Sequence, residues 1–524
     1  MAGAATNLGD RIGSWDDLFA LRDREVHVVG AGSVEGAHLL LFLADHGFKR
    51  LVGHDFSTPE TFPRAFKRVH VGWPMADRER MLEKLLESVR MVFRDRYLEG
   101  VDGADAIAVT QGWYLYESNR PLAQSPGLQQ RFFSLVQLYL GLSPGPVVGV
   151  SGSQGKSTTT RLLRDMLVAD GRDVIFAGND RHGQQALDRL QTATPDTHLV
   201  LEISNRHLKM LHRSPRVAVL TNIYPNHLEE HGGWDGYVDA KAGLVRYQQE
   251  GDVAVLNGDL DVTRGLAALT PAATYWFGET LKSAADEPVR ARPGVVAGDE
   301  TVNAAGPWPD ASARSWSIEV AGIPVAGRHN ALNVAAAACA ALAMGVAPPA
   351  VTGAIRDFRG LKHRIQFIWL SDGVSYYDDL NSTTPTASEV ALRTLGQDVV
   401  WILGGEDKGL DSTSLARTAQ GRVRRALALP GGGTEAIVAN LLAEGVEVER
   451  VADFGAAVRR AVEVARDGDS VLLSPACPGF FTLYYVGADE DSGFKKQVRE
   501  ATLPTSPPPT FPPPTFPLAR RPRT

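Results

Sequence analysis

Cysteine is almost missing: Cys339 and Cys477 are the only two among 524 residues, and they lie far apart. That excludes a disulfide-stapled scaffold and any cysteine-rich zinc site, and it fits a reducing compartment. A surplus of one charge is missing too. Lys and Arg total 54 against 61 Asp and Glu, a net charge of −7, which argues against a general nucleic-acid binder. Long apolar runs are also lacking. A bilayer helix wants about 20 mainly apolar residues in a row. The least charged stretches, 132–155 and 330–355, are broken by SPGP and end in GVAPP respectively, so both read as buried segments and no membrane span is expected. The opening MAGAATNLGDRIGSWDD has no apolar run after a basic start, so no secretory signal is expected and a cytoplasmic location is.

What is present is an ordinary globular composition, 44% hydrophobic and 22% charged, in a chain too long for one core. Strands alternate with helical stretches in three successive segments, which predicts parallel sheets covered on both faces. The first runs from EVHVVGAGSVEG through KRLVGHD to ADAIAVTQG. The second runs from PVVGVSGSQGKSTTTRLL through THLVLEIS, RVAVLTNI and DVAVLNGD to an Ala-rich helix after His329. The third holds GVSYYDDL, DVVWILGG, RALALPGG and DSVLLSP. The expected boundaries are 1–145, 146–360 and 361–502, followed by a proline-rich tail at 503–524 with a PPPTF repeat, read as disordered or polyproline II.

The chemistry begins at GVSGSQGKST, residues 149–158. Glycines after a buried strand turn backbone N–H groups toward phosphates, and the helix N-terminus that follows favours anions. Gly152, Ser153, Gln154, Gly155, Lys156, Ser157 and Thr158 form the expected loop. Lys156 faces the β/γ-phosphates, and Ser157 offers a hydroxyl to Mg²⁺. The spacing is GxxGxxGKS rather than GxxxxGK[ST], with Val150 where the usual motif starts. Glu202 ends a strand in HLVLEIS, and such an acid can present a carboxylate to a metal.

GVSGSQGKSTTT, EIS, NIYPNHLEEHG…Y…AK, VLNGD, GRHNALNVAAA, GLKHRIQ, DDLNSTTPTA, ILGGEDKGLD and LLSPAC occur in this order. Together they closely resemble the Mur ligases of peptidoglycan synthesis, most of all the glutamate-adding branch. The resemblance implies three α/β domains: a Rossmann-like substrate domain, a central P-loop ATPase domain and a C-terminal Rossmann-like domain for the amino acid. It implies ATP, two Mg²⁺ ions, UDP-N-acetylmuramoyl-L-alanine and glutamate as partners, D-glutamate by default, in a monomeric enzyme. Glu202, His227, Lys241 and Ser157 match metal-site positions, and Lys241 matches a lysine carbamylated in most of the family. Lys156, His227 and Lys241 are the expected catalytic residues. Asn330, Asn333, Arg364 and Asp379 match ATP-contacting positions, and Gly30, Gly32, Asp55, Asn179, Thr383 and Lys408 match substrate positions.

Departures define the competing readings. GAGSVEG has Glu35 in the place of the third glycine of G-x-G-x-x-G, so a hydride-transfer cofactor is the rival to a UDP-sugar there. The family's S-P-G turn is reduced to TQG, residues 110–112, and RAFKRVHVGWPMADRERMLEKLL has no counterpart. Asn381 stands where glutamate ligases carry lysine, and Pro478 and Gly479 stand where a serine is common. An L-glutamate-adding variant, a folyl- or polyglutamate ligase and a non-catalytic nucleotide-binding partner are the alternatives.

Overall fold

The structure, a computed structural model, describes residues 7–70, 73–179, 186–226, 228–280, 293–305, 308, 316–323, 327–358, 360–407, 409–480 and 493–502. His227, Lys408 and the tail at 503–524 lie outside them. The chain divides into two units. One comprises Met1–Val320 with His329–Ile355, and the other Ala321–Arg328 with Arg356–Thr524.

Short runs of β-branched residues, buried on both faces, form the strands of the first unit, as parallel sheets require. The first sheet contains β1 (Glu25–Val29), β2 (Arg50–His54), β3 (Arg90–Val92), β4 (Ala106–Val109) and β5 (Phe132–Phe133). Its order is β3-β2-β1-β4-β5, parallel throughout. Strands β2 and β3 lie on one side of β1 and β4 and β5 on the other, and ligands of such sheets bind at the carboxyl ends beside that reversal. Gly30 and Gly32 follow β1, and Asp55 follows β2. The helix Val34–Asp45 begins there, its first turn capped by the Ser33 hydroxyl accepting from the Gly36 N–H. The stretch without counterpart folds as helices Phe62–Val69 and Met75–Ser88. Their Phe62, Phe66, Leu82 and Leu85 enter the core that covers this sheet.

The second sheet contains β6 (Val147–Ser151), β7 (Val174–Gly178), β8 (His198–Glu202), β9 (Val217–Leu220), β10 (Val253–Asn257), β11 (Ala273–Gly278), β12 (Gly294–Ala297), β13 (Thr301–Ala305) and β14 (Ser317–Glu319). Its order is β14-β13-β12-β11-β10-β9-β6-β8-β7, with only β12–β13 and β13–β14 antiparallel. Strand β6 therefore lies between β8 and β9, and the glycine loop leaves the sheet where its winding reverses. One continuous core joins the first two sheets. The alanine-rich helix Arg328–Ala343 is buried from Asn333 to Leu342, small side chains letting it approach closely. Among the described residues no helix is long and apolar enough to cross a membrane.

The other unit holds β15 (Gln366–Ser371), β16 (Val374–Asp378), β17 (Val399–Leu403), β18 (Val423–Ala428), β19 (Val448–Arg450) and β20 (Ser470–Leu473). The order is β15-β16-β20-β17-β18-β19, antiparallel only at β15–β16. Trp401 is fully buried at its centre, its indole N–H donating to the Ser474 carbonyl at 2.7 Å. The helix Phe454–Val464 begins where the Asp453 side chain accepts from the Ala456 N–H.

Candidate active site

The loop from Gly152 to Gly155 connects β6 to the helix Lys156–Ala169, and only glycine fits its key points. Gly155 has φ +79 and Gly152 φ +150. A Cβ on Gly152 would fall 1.9 Å from Thr221 Oγ1, and one on Gly155 would fall 2.1 Å from Asn333 Oδ1. Thr221 and Asn222, just beyond β9, hold the loop from the side. Thr221 Oγ1 donates to the Gln154 carbonyl at 2.6 Å, and the Gln154 N–H donates to Asn222 Oδ1 at 2.9 Å. Asn333 reaches the loop from the Ala-rich helix and is joined to Asn330 at 3.2 Å. The result is a backbone cradle at a helix N-terminus, with the hydroxyls of Ser157 and Thr158 in the helix's first turn. That arrangement fits a polyphosphate.

Two lysines converge on this loop. Lys156 Nζ donates to the carbonyls of Gly152 (2.9 Å) and Ser153 (3.2 Å). Lys241, on the helix Trp234–Ala242, is fully buried and donates to Ser151 Oγ (3.1 Å) and to the same Gly152 carbonyl (2.9 Å). Among the described residues no carboxylate pairs with it. Burial, then the neighbouring Lys156 charge, hold its ammonium well below the ordinary lysine pKa. Glu202 is the register partner of Val150 across β6 and β8, buried at the sheet's carboxyl edge. Its Oε1 accepts from Asn179 Nδ2 at 3.1 Å, and its carbonyl accepts from the Asn179 N–H at 2.8 Å. The hard oxygens of Ser157 and Glu202 suit Mg²⁺.

In the first sheet Gly30, Gly32 and Asp55 come together. The Gly32 N–H donates to Asp55 Oδ2 at 3.0 Å, and the Ser57 N–H donates to Oδ1 at 2.9 Å. Glu35, in the third glycine's place, turns inward. Its carboxylate accepts from the Gln111 N–H at 2.9 Å and from His207 at 2.5 Å.

In the second unit Asp379 is buried at the carboxyl end of β16. It accepts from the Ile365 N–H (3.1 Å) and Ser474 Oγ (2.7 Å), and burial pushes its carboxyl up to about 7. Arg364 and Thr383 are exposed nearby in sequence, and the Asn381 N–H donates to the His363 carbonyl. Gly479 has φ +81, and a Cβ there would fall 2.7 Å from the Glu406 side chain. A serine at this position would therefore strain the turn and strike Glu406.

These features meet matches to known proteins. The Mur ligase middle domain model matches residues 150–341, and the model for the Mur ligase glutamate ligase domain matches residues 363–477. A UDP-N-acetylmuramoylalanine–D-glutamate ligase of Roseiflexus sp. strain RS-1 is 37% identical over 355 residues, spanning 66% of this chain and 74% of its own. The chain belongs to the Mur ligase family. A second D-glutamate ligase, from Symbiobacterium thermophilum, is 33% identical over 410 residues, spanning 77% of this chain and 86% of its own. Among solved structures, UDP-N-acetylmuramate-alanine ligase of Thermotoga maritima is similar in fold, with a TM-score of 0.55 and 17% identity, covering 91% of this chain and 98% of that one.

As a Mur ligase the protein is an ATP-dependent ligase, and ATP and Mg²⁺ go with that class. The first unit brings Lys156, Lys241, Asn330, Asn333 and the loop 152–158 to one edge, with Glu202 and Asn179 beside them. Gly30, Gly32 and Asp55 gather at the edge of the other sheet. Sequence reasoning gave no role to Thr221, Asn222 or His207. The first two lie where the quoted strand RVAVLTNI runs into NIYPNHLEEHG. His207 gave no signal of its own, because its partner Glu35 is distant in sequence.

Proposed function

We propose that this Mur ligase joins D-glutamate to UDP-N-acetylmuramoyl-L-alanine through an acyl-phosphate, converting ATP to ADP and phosphate. The convergence of Lys156 and Lys241 on the glycine loop, beside Glu202, carries the ATP half of this reading. The choice of acceptor and amino acid follows the D-glutamate ligases to which the chain is similar. In this reaction the carboxylate of the sugar-peptide attacks the γ-phosphorus and ADP leaves. The amine of glutamate then attacks the acyl carbon and phosphate leaves.

The chain's own part is to hold and neutralise. Lys156 would exchange the Gly152 and Ser153 carbonyls for phosphoryl oxygens, offsetting charge as it builds there. Ser157, Glu202, His227 and a carbamylated Lys241 would hold two Mg²⁺ ions, which supply further charge neutralisation when bound. Carbamylation needs an uncharged amine, and the burial of Lys241 favours one. Its two hydrogens would serve Ser151 Oγ and the Gly152 carbonyl, leaving the lone pair for CO₂. Asn330, Asn333, Arg364 and Asp379 would contact ATP. Gly30, Gly32, Asp55 and Asn179 would contact the UDP-sugar, and Thr383 and Lys408 the glutamate. We assign these tasks to residues 1–145, 146–360 and 361–502 of a cytoplasmic monomer.

The test is ADP release with UDP-N-acetylmuramoyl-L-alanine and D-glutamate, L-glutamate or other amino acids. Release that depends on D-glutamate supports the reading, and release with L-glutamate alone replaces the amino acid. No release with any acceptor removes the proposal. Lys156→Ala should abolish the activity, and a retained rate would mean the loop is misassigned.

A further inference from the structure

A directional chain of hydrogen bonds runs between the first two sheets. Ser204 Oγ donates to Gln111 Oε1 at 3.0 Å. Gln111 Nε2 donates to Asn179 Oδ1 at 3.1 Å, and Asn179 Nδ2 donates to Glu202 Oε1 at 3.1 Å. Each amide has its oxygen toward the donor before it and its nitrogen toward the acceptor after it, so one orientation satisfies every link. Gln111 is the crossing point: it follows β4 of the first sheet, whereas its side-chain partners all belong to the second.

The backbone of Gln111 is fixed in turn by Glu35. One oxygen of that buried carboxylate takes the Gln111 N–H, and the other faces His207 Nε2. The Ser204 N–H donates to His207 Nδ1 at 3.3 Å, so Nδ1 is the acceptor and Nε2 carries the proton given to Glu35. The His207 N–H donates to Ser204 Oγ at 3.2 Å, which closes the circuit at the head of the relay. Glu35 stands where a dinucleotide turn would have glycine, and Gln111 stands in the altered TQG turn. The two departures from pattern thus form one device.

We infer that Glu35, His207 and Gln111 are positioning residues, a polar latch that fixes the rotamer of Glu202 from the neighbouring sheet. The inference rests on Glu202 being a metal ligand, as proposed above. Partners that orient a ligating carboxylate typically carry about 10–100-fold in metal affinity. The latch would also tie the first sheet's glycine turn to the ATP edge of the second.

The test titrates Mn²⁺ into the full-length protein saturated with ADP, followed by electron paramagnetic resonance, with thermal unfolding measured in parallel. Gln111→Leu keeps side-chain bulk and removes the relay, and it should weaken Mn²⁺ affinity about tenfold or more. Glu35→Gln should weaken it in the same direction. The double variant should lose no more than Gln111→Leu alone, because both act through one link. Lower melting temperatures with unchanged Mn²⁺ affinity would mean a merely structural contact and overturn the latch, as would additive losses in the double variant. Glu202→Ala separates the two levels. If it weakens Mn²⁺ binding and Gln111→Leu does not, only the latch fails. If Glu202→Ala has no effect, the metal-ligand reading fails and the latch with it.

Discussion

Acid should unfold the first sheet through His54, a histidine with no route to carrying charge. It ends β2, is fully buried, and its Nε2 lies 2.9 Å from His27 Nδ1 on the neighbouring strand. Its own Nδ1 is buried with no hydrogen-bond partner among the described residues. Around the pair stand Glu25, which pairs with His27, the cations Arg50 and Arg90 bonded to that same Glu25, and the Tyr97 ring. Burial first, then the His27 and Arg90 charges, hold the His54 imidazolium down to a pKa of about 3. An unfolded histidine titrates near ~6.5. Between these values the unfolded chain binds the extra proton, so stability is complete above pH ~6.5 and is lost as pH falls toward 3. At pH ~5.5 the loss from this one group is about 1.4 kcal/mol, and at pH ~4.5 about 2.7 kcal/mol. His54→Gln keeps a polar partner for His27 and does not titrate. Urea unfolding of both proteins from pH 7 to 4.5 should show profiles that diverge by about those amounts, the variant being the flatter. The carboxylates titrate alike in both, so they cancel. Parallel profiles would refute the argument.

Two further outcomes follow from the loop. Lys241→Met removes two hydrogen bonds of about 1 kcal/mol each along with a buried amine that resists charge, so unfolding should shift by only about 1 kcal/mol. ADP release should nevertheless vanish, and the carbamate ¹³C resonance expected from the wild-type protein in ¹³C-bicarbonate should be absent. A carbamate signal that survives the substitution would show the wrong lysine had been chosen. Gly155→Ala places a Cβ in a left-handed backbone position and 2.1 Å from Asn333 Oδ1. The backbone alone costs about 1–2 kcal/mol, so ADP affinity measured by calorimetry should fall roughly tenfold or more, and unaltered affinity would contradict the cradle geometry.

Strands that are buried on both faces and end in glycines or acids were legible in the sequence. EVHVV, VVGVS, HLVLE and VVWIL all form sheet interiors, because short apolar runs bounded by turn residues leave few alternatives. The short or edge strands were not legible. Phe132–Phe133 and Arg90–Val92 are too brief to show a period, and β12–β14 turn antiparallel at the sheet's edge without a diagnostic pattern. The glycine loop was legible as a turn after a buried strand, and its Gly152 and Gly155 sit where a Cβ would strike the Thr221 and Asn333 side chains. The latch was not, because its partners Glu35, Gln111 and His207 meet only after two sheets have packed together. Local sequence registered the first two as departures and gave no sign of the third. Gly479 carries the same lesson in reverse. Its missing hydroxyl reads in sequence as a lost substrate contact, and the structure gives it a cause in the turn against Glu406.

Two lysines share one carbonyl oxygen of the glycine loop. Lys156 and Lys241 each place an amine 2.9 Å from the Gly152 carbonyl. One carbonyl dipole stabilises two like charges poorly, and the low local dielectric magnifies their repulsion. Burial first, and this repulsion second, hold the Lys241 ammonium down. Anions resolve it more fully. A polyphosphate in the cradle would draw Lys156 off the carbonyl, and conversion of Lys241 to a carbamate would replace a neutral amine by an anion. Both changes relieve the same repulsion, so each leaves less for the other to relieve, and the two anions repel each other directly: without a divalent cation the nucleotide should bind more weakly when Lys241 is carbamylated, and Mg²⁺ should reverse that coupling. A site that holds one charged and one neutral amine on a single oxygen would thereby take nucleotide and carbamate together only with Mg²⁺ between them.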